Sequence, residues 1–266
     1  MKQDYKTIDV TVEKRVCHIV LNRPEVRNAF NPLMIQELQQ VFDDIQQHQS
    51  LSCVTLQGRG DVFCSGADLN WMKESRAYSE KQNKDDAARL FTLFNSMDQC
   101  PIPLIAIVQG YIVGGGMGFV SVCDYVISTR NATFSLSEVK LGLVPAVVGP
   151  FVLKKMGESW TRALFLTAKR FQADLALRLG FIHEVCDGLS LCQEVLDDLV
   201  AHIVQSSPNA LRVSKKLIHH LSQLSFEKQQ KEAINTLATI RVSDEAQEGI
   251  AAFLEKRKPR WFDDSI

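Results

Sequence analysis

Two short segments carry residues able to build a reaction site from main chain alone. Phe63-Cys64-Ser65-Gly66-Ala67-Asp68-Leu69 and, about forty residues later, Gly110-Tyr111-Ile112-Val113-Gly114-Gly115-Gly116-Met117-Gly118 place small residues where a backbone N–H can approach a ligand closely. Two such donors converging on one oxygen form an oxyanion hole, which polarises a carbonyl without choosing its fate. The reaction type is then set by a few neighbouring side chains.

The glycine cluster fits no nucleotide motif. A dinucleotide fingerprint needs glycines at i, i+2 and i+5, yet Gly114 and Gly116 are followed by Phe119, and Gly116 and Gly118 by Ser121. A phosphate-binding P-loop needs lysine after its second glycine, and Gly116 stands there. Nor is Ser65 a nucleophile elbow, because Phe63 occupies the first glycine position of that motif. What remains open is a tight turn that needs glycine for its backbone, or a turn that also aims the Gly115 and Gly116 N–H groups outward at the start of a helix.

Among titratable side chains, the six histidines (18, 48, 183, 202, 219, 220) lack cysteine or carboxylate partners at metal-ligand spacing. Asp68 and Glu138 are the carboxylates set among small or apolar neighbours, Glu138 within Ser135-Leu136-Ser137-Glu138-Val139-Lys140-Leu141-Gly142-Leu143-Val144-Pro145. Glu138 reads either as an acid/base group or as a first-turn helix residue capped by Ser135. Asp124 reads as a turn or strand-edge residue.

The elements that must position these groups follow from periodicity. Ile8 to Val12 and Val16 to Leu21 alternate as a hairpin, and Pro32 opens a helix capped by Asn31. Cys53 to Gln57 and Leu104 to Val108 read as strands, Ser79 to Met97 and Met117 to Val122 as helices, and Asp124 to Ser128 as a further strand. The polar run from Lys73 to Ser79 reads as a loose connection. Strand, glycine turn, helix and strand in that order predict an α/β fold with crossover connections. From Leu189 the chain reads as helices only, at Leu189 to Gln205, Pro208 to Leu224, Phe226 to Arg241 and Asp244 to Lys256.

Composition bounds the rest. With 266 residues, 45% hydrophobic and 23% charged, the chain can bury a sizeable core, and its net charge of −1 gives no general bias toward nucleic acid or anionic membrane. One basic cluster, Lys256-Arg257-Lys258-Pro259-Arg260, lies near the end. The seven cysteines include no C-x-x-C pair and read as reduced core residues in a cytoplasmic protein. No apolar leader follows Met1, and no apolar run reaches the roughly 20 residues of a membrane helix.

Leu21-Asn22-Arg23-Pro24 with Asn28-Ala29, then Phe63 to Leu69, Cys100 to Ala106, Gly110 to Asp124, Phe134 to Pro145 and Phe253 to Pro259 form an ordered set that resembles the crotonase superfamily, the enoyl-CoA hydratase/isomerase proteins. The resemblance covers nearly the whole chain. It implies an α/β spiral of ββα turns over residues 1–200, with the coenzyme A thioester site. It further implies a C-terminal helical trimerisation region over 201–266 that covers the site and assembles a homotrimer or dimer of trimers. Coenzyme A enters as part of the substrate, with no separate cofactor, metal, nucleic acid or membrane partner.

By the same resemblance the thioester carbonyl sits between the N–H groups of Ala67 and Gly115, with Glu138 as acid/base. Arg27, Ser65, Gly66, Asp68, Leu69 and Gly114 belong to the binding surface, with the adenine near Ser65 to Leu69. Phe253 and Lys256 reach a neighbouring subunit's ligand. Trp71, Met72, Val113, Pro145, Ala146 and Val147 are expected around the acyl group. Typical hydratases carry a second glutamate twenty residues before Glu138, and here that position is Gly118. Gly118 is expected to leave room for a substrate that brings its own carboxylate.

Gly66 to Met72 and Leu136 to Ala146 look most like the bacterial methylglutaconyl-CoA hydratases of leucine breakdown. The expected activity is hydration of a 2-enoyl-CoA, 3-methylglutaconyl-CoA first. The alternatives are Δ3,Δ2-enoyl-CoA isomerisation and, from another class, a non-catalytic acyl-CoA-binding subunit.

Overall fold

In the computed structural model, described for residues 4–262, the chain folds as two sheets wound together with helices outside. The leader reading at Met1-Lys2-Gln3 and the last four residues of the 201–266 region lie outside the described residues. Strands β1 (Ile8–Glu13) and β2 (Val16–Leu21) pair antiparallel. Their two-residue turn, Lys14-Arg15, has both φ values positive (45° and 69°), the twist that a tight hairpin requires.

Every later strand of the main sheet is parallel and therefore needs a crossover. Helix α1 (Pro32–Gln47), whose first turn is capped by Asn31 accepting from the Met34 N–H, leads to β3 (Cys53–Gly58). Helices α2 (Leu69–Glu74) and α3 (Glu80–Asp98) lead to β4 (Leu104–Val108). The connection read as loose between Lys73 and Ser79 is instead ordered. It finishes α2, makes a 3-10 turn at Ser75–Ala77, and enters α3 through a capping box of Ser79 and Gln82.

Strand β5 (Tyr111–Val113), helix α4 (Gly115–Ser121), β6 (Tyr125–Thr129) and β7 (Thr133–Ser135) follow. Helix α5 (Gly149–Thr167), β8 (Phe171–Gln172), α6 (Ala173–Arg178) and β9 (Glu184–Cys186) complete the spiral. The main sheet has the order β1-β2-β3-β4-β6-β9, and a smaller one the order β5-β7-β8. Single bridges extend the smaller sheet, Phe30 to Ala67 and Cys64 to Ile112. Each turn of chain thus gives one strand to the large sheet and a few residues to the small one, and both sequence segments with site potential lie on the small one.

Phe30, Phe63, Phe94, Phe119, Phe134 and Phe181 are fully buried between the layers, and all seven cysteines are buried free thiols. Helix α7 (Leu189–Val204) buries Cys192, Leu196 and Val204 against the main sheet. Beyond it, α8 (Pro208–Leu221) buries only Lys215, and α9 (Phe226–Arg241) buries no side chain. With α10 (Asp244–Leu254), these helices leave Ile218, Phe226, Leu237 and Phe253 on the surface. Among the described residues no helix is long and apolar enough to cross a membrane.

Candidate active site

Phe30 organises both donor segments. Its N–H donates to Gly66 O and its carbonyl accepts from the Asp68 N–H, both at 2.9 Å. In a parallel bridge the intervening residue, Ala67, has its own N–H turned to the opposite side. That side faces β5, whose ladder ends at Val113 because Gly114 takes φ 53°, ψ −119° and turns the chain into α4. Among the described residues neither the Ala67 N–H nor the Gly115 N–H donates to a backbone carbonyl. The Phe30 ring fills the space a side chain at 115 would occupy.

Ala67 and Gly115 line a cleft of about 500 Å³ that also includes Ser65, Gly66, Val113, Gly114 and Glu138. The turn needs glycine for its geometry, at Gly114 for its positive φ and at Gly115 for the Phe30 ring packed against it.

Glu138 begins a 3-10 turn (Glu138–Leu141) closed by Gly142 at φ 73°, and the Leu143 N–H returns to Glu138 O at 3.0 Å. Ser135 does not cap it: that residue is buried in β7, and the turn has no side-chain cap. The carboxylate lies over Gly114, with Oε1 3.2 Å from where a Cβ there would be. Oε2 is buried without a hydrogen-bond partner. Burial pushes the Glu138 pKa above the ordinary carboxylate value, opposed by its own backbone N–H. A half-buried carboxylate with a free oxygen, beside a pair of main-chain donors, is equipped to move a proton at a carbon next to a polarised carbonyl.

The remaining expected residues divide. Leu69, Trp71 and Met72 line the cleft. Arg27 is exposed in a left-handed conformation, and its carbonyl rather than its side chain meets the site segment by accepting from the Ser65 N–H at 3.1 Å. Pro145, Ala146 and Val147 are outside the lining, because the turn at Gly142 brings Leu141 and Leu143 there instead. Phe253 and Lys256 do not line the cleft of their own chain. In the basic cluster, Arg257 pairs with Glu248 and Glu255, and Arg260 with Glu248.

Gly118 is not the open space the sequence suggested. It is buried in α4, and a Cβ there would lie 2.5 Å from Phe94 Cζ and 2.8 Å from Val148 Cγ1. The side that could have faced substrate is packed with hydrocarbon.

Sequence reasoning missed the α3 wall. Asn83, Asp86, Ala87 and Leu90 face the cleft at spacings of three and four, the periodicity of one helix face, which was available to be read. Asp86 accepts from Trp71 Nε1 at 3.2 Å and pairs with Arg89 at 3.1 Å, and Trp71 meets Phe30 edge-on at 6.0 Å.

Asp68, also expected at the ligand, is committed elsewhere. It accepts from the Asn70 N–H at 2.7 Å as the cap of α2 and pairs with Arg23 at 2.8 Å. Burial raises its pKa, but the Asn70 and Arg23 hydrogen bonds and the Arg23 charge outweigh that and hold it below the usual aspartate value. Stabilisation from a lowered carboxyl pKa is complete above the unfolded-state value and is lost as pH falls through the folded one. Asp68→Ala should therefore cost about 2–4 kcal/mol at neutral pH, with the deficit shrinking in acid. Urea unfolding at both pH values checks it, and equal midpoints at neutral pH would remove Asp68 from this role.

A family described as enoyl-CoA hydratase/isomerase matches residues 11–264. The crystal structure of an enoyl-CoA hydratase from Shewanella pealeana superimposes with a TM-score of 0.91 at 37% identity, covering 97% of each chain. Pseudomonas aeruginosa AtuE gives 0.93 at 31% identity, covering 96% of this chain and 99% of that one. The 2,3-dehydroadipyl-CoA hydratase of Escherichia coli is 28% identical, covering 94% of this chain and 96% of its own length.

Proposed function

This chain belongs to the enoyl-CoA hydratase/isomerase family, and from that premise we propose that it reversibly hydrates a 2-enoyl-CoA, with Ala67 and Gly115 as the oxyanion hole and Glu138 as the single acid/base. The observation that carries the reading is the Glu138 carboxylate over Gly114, with one buried oxygen unpartnered. The thioester oxygen accepts from the two N–H groups, which draws electron density from the C2=C3 bond. Glu138 takes a proton from water as the water oxygen bonds to C3, and the π pair moves toward the thioester as an enolate. The same carboxyl then returns its proton to C2. One group suffices because the proton removed and the proton delivered are the same in number and pass through one site.

The acyl group we propose is 3-methylglutaconyl. Its support is the similarity to a hydratase named for another carboxylated 2-enoyl-CoA, together with the Ser75 and Asn83 side chains on the α2–α3 wall. The Asp86 charge on that wall is already met by Trp71 and Arg89. The lining holds no lysine or arginine. The Ser75 hydroxyl and Asn83 amide already donate to main-chain carbonyls, at Met72 and at Tyr78 and Ser79, so a substrate carboxylate would meet no cation there and would keep the basicity to help orient water in place of a second glutamate. A homotrimer or dimer of trimers belongs to the same reading, supported by the apolar residues left exposed on α8 to α10. Cytoplasmic residence is supported by the free thiols.

One observation favours a second reading. Phe94 and Val148 close the face at Gly118 with hydrocarbon, which suits a lone base shuttling a proton between C2 and C4 of a 3-enoyl-CoA without water. Mass spectrometry after incubation with 3-methylglutaconyl-CoA in ¹⁸O-labelled water separates the two. A product heavier by one labelled water, absent in Glu138→Gln, is expected. Unchanged mass with conversion of a 3-enoyl-CoA to its 2-enoyl isomer would establish isomerisation. Binding with neither reaction would leave an acyl-CoA-binding protein.

A further inference from the structure

Lys155, half-buried on α5, reaches the far end of the helix that carries the Gly115 N–H. Its Nζ donates to the carbonyls of Val120 at 3.0 Å and Cys123 at 2.6 Å. The last carbonyls of a helix have no partner within it. In α4 Val120 O also accepts from the Val122 and Cys123 N–H groups, the latter at 3.3 Å, and the carbonyls before it accept from Ser121 Oγ on Gly118 O, at 2.7 Å, and Cys123 Sγ on Phe119 O, at 3.1 Å. Lys155 is the only cation among these partners. Helix α4 has seven residues and spans about 10 Å. A rod that short transmits a tilt at one end directly to the other.

The surroundings of Lys155 make it a fixed group. Among the described residues no carboxylate lies within ion-pair distance of it. It faces Cys123 and Asp124 beyond α4, Asp98 from α3, Lys215 from α8, and His183 before β9, with the Phe181 ring at 5.9 Å. Burial lowers its pKa to about 8, so its charge is present at neutral pH and is lost in mild alkali.

We propose that Lys155 is a positioning residue for the oxyanion hole: its ammonium anchors the carbonyl end of α4, and the Gly115 N–H at the opposite end is thereby held on the thioester oxygen. This rests on the reading of Gly115 as a donor of that hole. The charge itself helps as well, since a cation roughly 15 Å behind a developing oxyanion favours it by about fivefold in rate at an effective dielectric constant near 20.

The test compares wild type, Lys155→Met and Lys155→Arg in steady-state turnover of the enoyl-CoA and in hydrogen–deuterium exchange of the peptide spanning 114–121. Lys155→Met should lower kcat about 10–100-fold with KM within about threefold, and should speed exchange across 114–121. Lys155→Arg should restore both. In wild type kcat should fall as pH rises past about 8, and Lys155→Arg, which does not titrate there, should lose that alkaline limb.

Unchanged kcat in Lys155→Met, or equal losses in the methionine and arginine variants, would overturn the proposal. If the methionine variant does not fold, an alkaline limb shared by wild type and Lys155→Arg would overturn it. If wild type turns over no enoyl-CoA, the proposed function fails. In that case the exchange of 114–121 still decides the anchor, and exchange in Lys155→Met that matches wild type would sink it.

Discussion

Glu138→Gln is expected to lower kcat by about 10²–10⁴-fold while leaving CoA-ester affinity within a few-fold. The amide keeps the shape of the side chain over Gly114 but cannot accept and return a proton. The pH profile gives an independent check. Burial holds the wild-type carboxyl above the ordinary glutamate pKa, so the acid limb of kcat/KM should lie above that value, and the glutamine variant should lack it. Stability should move in the opposite direction. A carboxyl whose folded pKa is raised contributes stability below its unfolded pKa and loses it as pH rises through the folded value. At neutral pH the glutamine variant, with no buried charge, should unfold at equal or higher denaturant. Wild-type turnover in the purified variant would take Glu138 out of the chemistry.

Gly118→Glu should fail for reasons of packing before chemistry is reached. A Cβ there already meets Phe94 at 2.5 Å and Val148 at 2.8 Å, and the rest of the side chain would carry a charge into a buried layer. We expect a loss of more than about 4 kcal/mol, with the protein insoluble or unfolded at 37 °C. Gly118→Ala isolates the first carbon and should cost about 1–3 kcal/mol. Pairing Gly118→Ala with Phe94→Leu, which shortens the opposing ring, should recover part of that cost. Thermal melts of these variants decide the point: a Gly118→Glu protein that melts with wild type would show that the layer yields more readily than its distances imply.

The contrast between these two positions shows what was legible in the sequence. The hairpin, the Asn31-capped helix, the β4 strand and the helical C-terminal region were readable because alternation, capping residues and helical spacing are local signals. The donor segments were readable because only small residues permit such close backbone approach. The fate of Gly118 was not, since what fills the space above it comes from Phe94, 24 residues upstream, and Val148, 30 residues downstream. The commitment of Asp68 to Arg23 and the seating of Phe30 between both donor segments were hidden for the same reason. The Asn83-Asp86-Ala87-Leu90 face was visible as a pattern, but nothing local said which surface it would meet.

The packing above Gly118 also constrains how this protein could have changed through time. In the proposed site the donors are main chain, so substitutions elsewhere can redirect the reaction without dismantling them. A route that adds a carboxylate at 118 is different: it first has to shrink Phe94 or Val148, opening a hole in the core with no gain until the acid arrives, or else place the acid first against the packed Phe94 ring. Each single step passes through a less stable protein. The hydrocarbon plug therefore acts as an evolutionary ratchet, and descendants of such a chain are expected to explore new acyl groups along the α3 wall more readily than they acquire a carboxylate at 118.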